Sequence, residues 1–209
     1  MIDDFLAQRL KYMAAIAQRY AIGADEYTEA TRCLAPIAQP VTLRKGEYLQ
    51  RIGAPAQSVF WITAGVSRNG FFAENGAEVT LRFAVEGEGA NAQEDVLEVE
   101  AGLPARHFIV AETALRGFRF DWSDVCRVRA QHAVVNDYYL KVLEYTLKRH
   151  ARRTYVHSVA SAQERLAEFR ADYPGLEGRI SQRVLASYLG ITPSYLSQLL
   201  ARELESGQS

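Results

Sequence analysis

Seven side chains near the end of the chain have the types and spacing needed to read a base-paired surface: Gln182, Thr192, Ser194, Tyr195, Ser197, Gln198 and Arg202. Gln pairs well with adenine, and Ser can serve several bases. Gln182 and Thr192, if they start helices, are placed to hold phosphates, because free backbone N–H groups point outward there. No comparable set suits covalent chemistry. There is no phosphate loop, no nucleophile elbow and no Cys–His pair, so no enzyme is expected. Cys33 and Cys126 are too few for an iron–sulfur cluster, which takes about four ligands, and they read as ordinary core residues. The four histidines, His107, His132, His150 and His157, are scattered. Only His107 falls among β-type segments, so no metal site is expected where several His and a Glu would have to converge. His107 and His132 read as structural residues rather than haem ligands, and no cofactor is expected.

Those seven residues need two short helices crossing at a tight turn. Ser181 is a good N-cap for the first helix, which carries Val184, Leu185 and Leu189 on one face, with small Ala186 permitting close crossing. Gly190 supplies the turn. Thr192-Pro193 opens the second helix with a cap residue followed by proline at the first helical position, and it runs to about Glu205. Ile191, Leu196 and Leu199 turn inward, which leaves the seven outside. Upstream, Ser161 and Glu164 form a capping-box pattern for a helix that reaches about Ala171 and stops at Tyr173-Pro174-Gly175. Three short helices with such a turn predict a helix-turn-helix.

The rest of the chain reads in two styles. Residues 1–35 are helical, with Leu6, Leu10, Met13, Ala14, Ala17 and Tyr20 at helical spacing, a break at Gly23, and a second helix from Glu26 to Leu34. Residues 37–122 alternate short β-type runs with glycine turns. The runs are Pro40–Leu43, Ser58–Thr63, Val66–Ala73, Ala77–Val85, Asp95–Glu100, His107–Ala111 and Leu115–Asp121. Asn75-Gly76 between two of them is a strong hairpin signal, and many short strands predict a sandwich or barrel. Residues 124–157 hold neither Gly nor Pro and predict one long helix. Val128, His132, Val135, Tyr139, Val142 and Thr146 follow the rhythm of a two-helix seam, with Leu140, Leu143 and Leu147 as a second stripe. One stripe is expected against the β-region and the other against a second copy. Lys148, Arg149, Arg152 and Arg153 end the stretch as a basic cluster, a solvated face or a neighbour of DNA phosphates.

Charge divides along the chain. Residues 1–137 carry 14 Lys/Arg against 18 Asp/Glu, a net of −4, whereas residues 138–209 carry 10 against 7, a net of +3. The basic part is the one with the helix-turn-helix, as a DNA-facing part should be. The apolar runs are shorter than a membrane span, and the N-terminus lacks a signal-peptide pattern, so a cytoplasmic protein without membrane contact is expected.

The order of these parts resembles the Crp/Fnr family, regulators related to the bacterial cyclic-AMP receptor protein. Arg44-Lys45-Gly46-Glu47-Tyr48-Leu49 resembles the opening of that family's β-roll. Gly53 through Gly65 resembles its cyclic-nucleotide-domain signature, Phe83 to Glu88 and Arg106 to Glu112 resemble the strands around its phosphate cassette, and Ser161 to Phe169 resembles the helix that opens its DNA-binding domain. The resemblance implies an α+β fold: N-terminal helices and a jelly-roll sensor over 1–123, a dimerisation helix over 124–157 and a DNA-binding domain over 158–209. It implies a homodimer on a palindromic duplex, with RNA polymerase as a further partner. It also makes Glu88 and Arg106 the candidate effector contacts. The sequence departs from the family at both sites. The phosphate-binding Arg position aligns with Ala105, and Arg106 is one residue off, which turns its side chain to the other strand face. Acidic Glu94, Asp95, Glu98 and Glu100 lie nearby. Cyclic AMP is therefore not the expected effector. On the reading helix the family's Arg-Glu pair and later Arg are replaced by Pro193, Ser194 and Gln198, so a different target sequence is expected. Two other readings stay open: a small-ligand signalling protein without DNA binding, and a protein–protein module using Tyr138, Tyr139 and Tyr145.

Overall fold

The computed structural model describes residues 2–92, 95 and 103–206. The chain forms two compact units: residues 1–69 with 83–149, and residues 70–82 with 150–209. The segment 124–157 is thus shared between them.

The first unit opens with three helices, α1 (Ile2–Lys11), α2 (Met13–Tyr20) and α3 (Ala24–Leu34). A single helix was expected before Gly23; the break at Tyr12 divides it, and Ala21 ends α2 in the left-handed conformation. The inward stripe is also different from the expected one. Phe5, Arg9 and Ile16 are buried, whereas Leu10 is exposed. An arginine in the stripe hides the apolar period from a sequence reading.

Among the described residues eight strands follow: β1 (Gln39–Leu43), β2 (Tyr48–Gln50), β3 (Ser58–Ala64), β4 (Ser67–Phe72), β5 (Glu78–Ala84), β6 (Gly89–Ala90), β7 (Phe108–Ala111) and β8 (Leu115–Asp121). They form two four-stranded sheets, in the orders β1-β8-β3-β6 and β2-β7-β4-β5. β1 and β3 pair antiparallel with β8, and β2 with β7. Two strands were not foreseen as separate runs, β2 and β6; both are two or three residues long, below the length at which alternation is visible. The expected run Asp95–Glu100 lies outside the described residues apart from Asp95.

Alternation along β3 and β8 builds two cores, because successive strand side chains face opposite ways. Phe60, Ile62 and Leu115 join Leu43, Ile109 and Ala111 inside the roll. Trp61, Phe118 and Phe120 face the other way and pack with Phe5, Ile16 and Tyr27 of the N-terminal helices. Each such aromatic side chain contributes about 1.5–3 kcal/mol through burial.

Two helices come next, α4 (Trp122–Gln131) and α5 (Ala133–Val159). The single helix expected over 124–157 is broken at His132, whose φ of −132° and ψ of 105° are extended. No Gly or Pro marks this break, so the sequence carries no signal for it. Val128 and Val135 of the expected seam are buried with Trp122 in the helical core. The second stripe is the outward one, with Leu140 at 51% and Leu147 at 70% exposure.

The second unit contains the end of α5, then α6 (Ala162–Asp172), a 3-10 turn (Leu176–Arg179), α7 (Gln182–Leu189) and α8 (Pro193–Ser206). Its core is Leu166, Phe169, Leu176, Leu185, Ala186, Leu189 and Leus 196 and 199, all buried. Residues 70–82 belong to the same unit. Their turn is the expected hairpin: the Ala77 amide donates to Asn75 Oδ1 at 3.0 Å and Gly76 has φ of +77°.

Candidate nucleic-acid interface

The two crossing helices are locally determined. Ser181 Oγ accepts from the Val184 amide at 3.3 Å, and Gly190 ends α7 at φ of +68°, with its N–H bonded to the Ala186 carbonyl. The Ile191 amide also reaches the Ala186 carbonyl at 3.1 Å, a left-handed glycine stop. Thr192 Oγ1 then accepts from the Tyr195 amide at 3.2 Å and caps α8. Each of these caps is worth about 1 kcal/mol. Upstream, Ser161 and Glu164 make the reciprocal capping box that their spacing predicts. Ala186 of α7 and Leu196 of α8 are both fully buried.

With those residues inward, Gln182, Thr192, Ser194, Tyr195, Ser197, Gln198 and Arg202 are all exposed. The structure brings Ser197 and Gln182 together: the Ser197 hydroxyl lies within hydrogen-bond reach of two acceptors, Gln182 Oε1 at 3.3 Å and the Pro193 carbonyl at 3.1 Å, for its one proton. α8 is tied in place by Arg170, which bridges Glu177 at 2.7 Å and Glu203 at 3.0 Å. These pairs are partly exposed and set orientation more than stability.

One residue of this face escaped the sequence reading. Arg183 stands exposed in the first turn of α7. A cation there opposes the helix dipole, and that misfit was the available signal. Neither Arg183 nor Arg202 pairs with a carboxylate among the described residues, so both keep their charge for an outside anion.

The basic cluster at the end of α5 corrects another expectation. Arg153 does not stand in solvent near phosphates. It donates to the Thr80 carbonyl at 2.9 Å, the Tyr188 carbonyl at 3.2 Å and the Leu81 carbonyl, and its guanidinium lies 4.3 Å from the Tyr188 ring centre. Ser187 binds the same hairpin, accepting from the Thr80 amide at 2.9 Å and donating to the Glu78 carbonyl at 2.7 Å. Arg152 pairs with Glu168, and Lys148 with Glu144 at 2.5 Å. Beside Arg153, burial and then the charges of Arg153 and Arg165 push the His157 imidazole down to about 4.

The other candidate pair lies in the first unit and is not brought together as a ligand site. Glu88 is buried, but its carboxylate is bonded to Arg19 at 2.9 Å and to the Val85 amide at 3.2 Å. Arg106 is exposed, whereas Ala105 beside it is buried. The acidic neighbour Asp95 is buried too; it accepts from Gln50 at 2.8 Å and from the Arg106 and His107 amides. His107 Nδ1 lies 3.1 Å from the same carboxylate.

A β-roll, a long helix and a helix-turn-helix define the Crp/Fnr type of fold, and solved structures share it. FixK2 from Bradyrhizobium japonicum superposes with a TM-score of 0.69 at 18% identity, over 82% of this chain and 86% of that one. A CooA variant from Carboxydothermus hydrogenoformans gives 0.64 at 21% identity, over 82% and 78%. A CRP/FNR-family transcriptional regulator from Thermus thermophilus gives 0.58 at 18%, over 81% and 87%. No protein-family model matches the sequence, and no curated protein does. At these identities the likeness shows the fold. Among the described residues no helix is long and apolar enough to cross a membrane.

Proposed function

We propose that this chain is a sequence-specific DNA-binding transcription regulator that acts as a homodimer. The observation that carries this reading is the capped α7–α8 pair, which buries Val184, Leu185, Leu189, Leu196 and Leu199 and presents Gln182, Arg183, Ser194, Ser197, Gln198 and Arg202 to solvent. The N-terminal residues of α8 would meet base edges in the major groove, with Arg183 and Arg202 on phosphates. Pairing of two copies is supported by the outward stripe of α5, where Leu140, Leu147, Tyr155 and Val159 are more than half exposed. Exposed apolar residues in line are a usual mark of an interface. RNA polymerase is the partner this role implies, the cytoplasm its place, and catalysis forms no part of it. Cyclic AMP is not the effector in this reading, because Glu88 is already engaged by Arg19 and the phosphate-binding Arg is a buried Ala105.

The test is selection of bound sequences from random duplex DNA with the purified full chain. A palindrome with half-sites about 34 Å apart is expected, with affinity that falls steeply with salt. Absence of any enrichment, with and without cell extract, would overturn the reading in favour of a signalling protein without a DNA role.

A further inference from the structure

The first two turns of the reading helix turn no charge outward. Residues of α8 follow one another at about 100° around its axis and about 1.5 Å along it. Leu196 and Leu199 are buried and fix which side of the helix faces in. On the opposite side run Ser194, Gln198 and Ala201, all exposed, and Glu205 closes the row in the last turn. Tyr195 and Arg202 lie on one flank of that row and Ser197 on the other. Arg202 is the only Lys or Arg in α8. It stands about 12 Å along the axis from Ser194, past the N-terminal residues that reach base edges in a helix-turn-helix. Arg183 belongs to the other helix, α7.

What this row can read follows from the groups each base shows in the major groove. Guanine presents two acceptors, N7 and O6, and is read by the paired donors of Arg or Lys. The row has neither. Adenine presents an acceptor at N7 and a donor at N6. The Gln198 amide carries the matching pair, an NH2 donor and a carbonyl acceptor. Its side chain makes no hydrogen bond among the described residues, so both halves are open to a base. Gln182 lacks that open pair, because its Oε1 is already within reach of the Ser197 hydroxyl at 3.3 Å. Ala201 follows Gln198 by about 4.5 Å along the axis and offers a methyl group, which suits the C5-methyl of thymine.

We propose that this face specifies A·T pairs: Gln198 holds an adenine through its N6 and N7, and Ala201 covers an adjacent thymine methyl. The inference deepens the function proposed above and rests on it.

The experiment starts from the duplex sequences selected by the purified full chain and by its Gln198→Ala variant. The variant should lose preference at one base pair, and that pair should be A·T in the wild-type selection. Competition binding then uses modified duplexes. Replacing that adenine by 7-deazaadenine, which lacks the N7 acceptor, should weaken the wild type about tenfold and leave Gln198→Ala unaffected. Replacing the adjacent thymine by uracil, which lacks the methyl, should weaken both chains alike. Gln198→Arg, an exposed change that keeps the fold, should move the preference at that pair from adenine to guanine by about tenfold. A G·C pair at the position that Gln198→Ala relaxes, indifference of the wild type to 7-deazaadenine or to uracil, or an unmoved preference in Gln198→Arg would each overturn this inference while leaving a DNA-binding regulator in place. No enriched sequence at all would overturn the regulator itself, and this inference with it.

Discussion

The reading face and the aromatic core of the first unit treat their arginines in opposite ways. Arg183 and Arg202 stand in water, where a guanidinium costs nothing to keep charged and stays available to phosphate. Arg9 is enclosed by rings and keeps a donor unmet. The first arrangement is stable without a ligand and uses one by attraction at a surface. The second carries a desolvation penalty that the rings around it offset only in part. The difference teaches what each charge is for: free charges on a capped scaffold stay available to a polyanion, whereas an enclosed one organises the rings packed around it.

The sharpest way to break the comparison is to collapse one region alone. Gly117 sits in β8 where an added Cβ would lie 2.2 Å from the Trp61 carbonyl oxygen. Gly117→Ala should cost the roll about 3–5 kcal/mol. Denaturation followed by tryptophan fluorescence reports this directly, since both tryptophans, Trp61 and Trp122, are in the first unit. Gly190→Ala meets only the His157 ring at an ordinary 3.7 Å and carries the left-handed backbone cost, about 1–2 kcal/mol, read by calorimetric melting because the second unit has no tryptophan. Equal losses for the two would show that close approach across the sheet is not what demands glycine at 117.

Next is the reading face itself. Gln198→Ala should relax preference at one base pair and cost about 1–3 kcal/mol there, whereas Arg183→Ala should weaken all sequences alike and lower the salt slope by about one. Competition binding over single-base variants of the selected site, repeated at several salt concentrations, checks both. Uniform weakening from Gln198→Ala would make it a phosphate contact.

A smaller effect follows from His157. Its folded value of about 4 lies below the ordinary 6.5. The unfolded chain therefore takes up the proton first, and stability present above pH 6.5 is lost as pH falls towards 4. The ring is partly solvated, so the loss should be about 1–2 kcal/mol. Calorimetric melting between these pH values should show a decline that His157→Gln flattens; an unchanged decline would assign the effect to other groups. The smallest effect is Ser181→Ala, which removes the α7 cap and should cost about 1 kcal/mol, read as a lower melting temperature with sequence preference intact.

Much of the second unit was legible because its signals are local. Ser161, Ser181, Gly190 and Thr192-Pro193 act within four residues of themselves, and each produces the cap or stop that its type predicts. The hairpin at Asn75-Gly76 is equally local. Legibility ended where side chains act at long range. Arg153 read as one more member of a solvated cluster, yet its partners are residues 80, 81 and 188. Arg9 was not in the expected stripe of Leu6, Leu10 and Met13, yet it is buried in the inward one between Phe5 and Ile16. The break at His132 left no trace, since neither residue type nor spacing announces it.

The sequence by itself determined the order of the parts, the period of the strands, the ends of α6, α7 and α8, and the side chains that α8 would carry outward. These follow from backbone hydrogen-bond demands and apolar spacing, which are decided within a turn or a strand. Only the tertiary structure decided which arginines are buried, that Glu88 is held by Arg19, and that Arg9 lies among the rings of Phe5, Tyr27, Trp61 and Tyr138. Burial of a charge depends on what the rest of the chain packs around it, and residues more than a hundred positions apart make that environment.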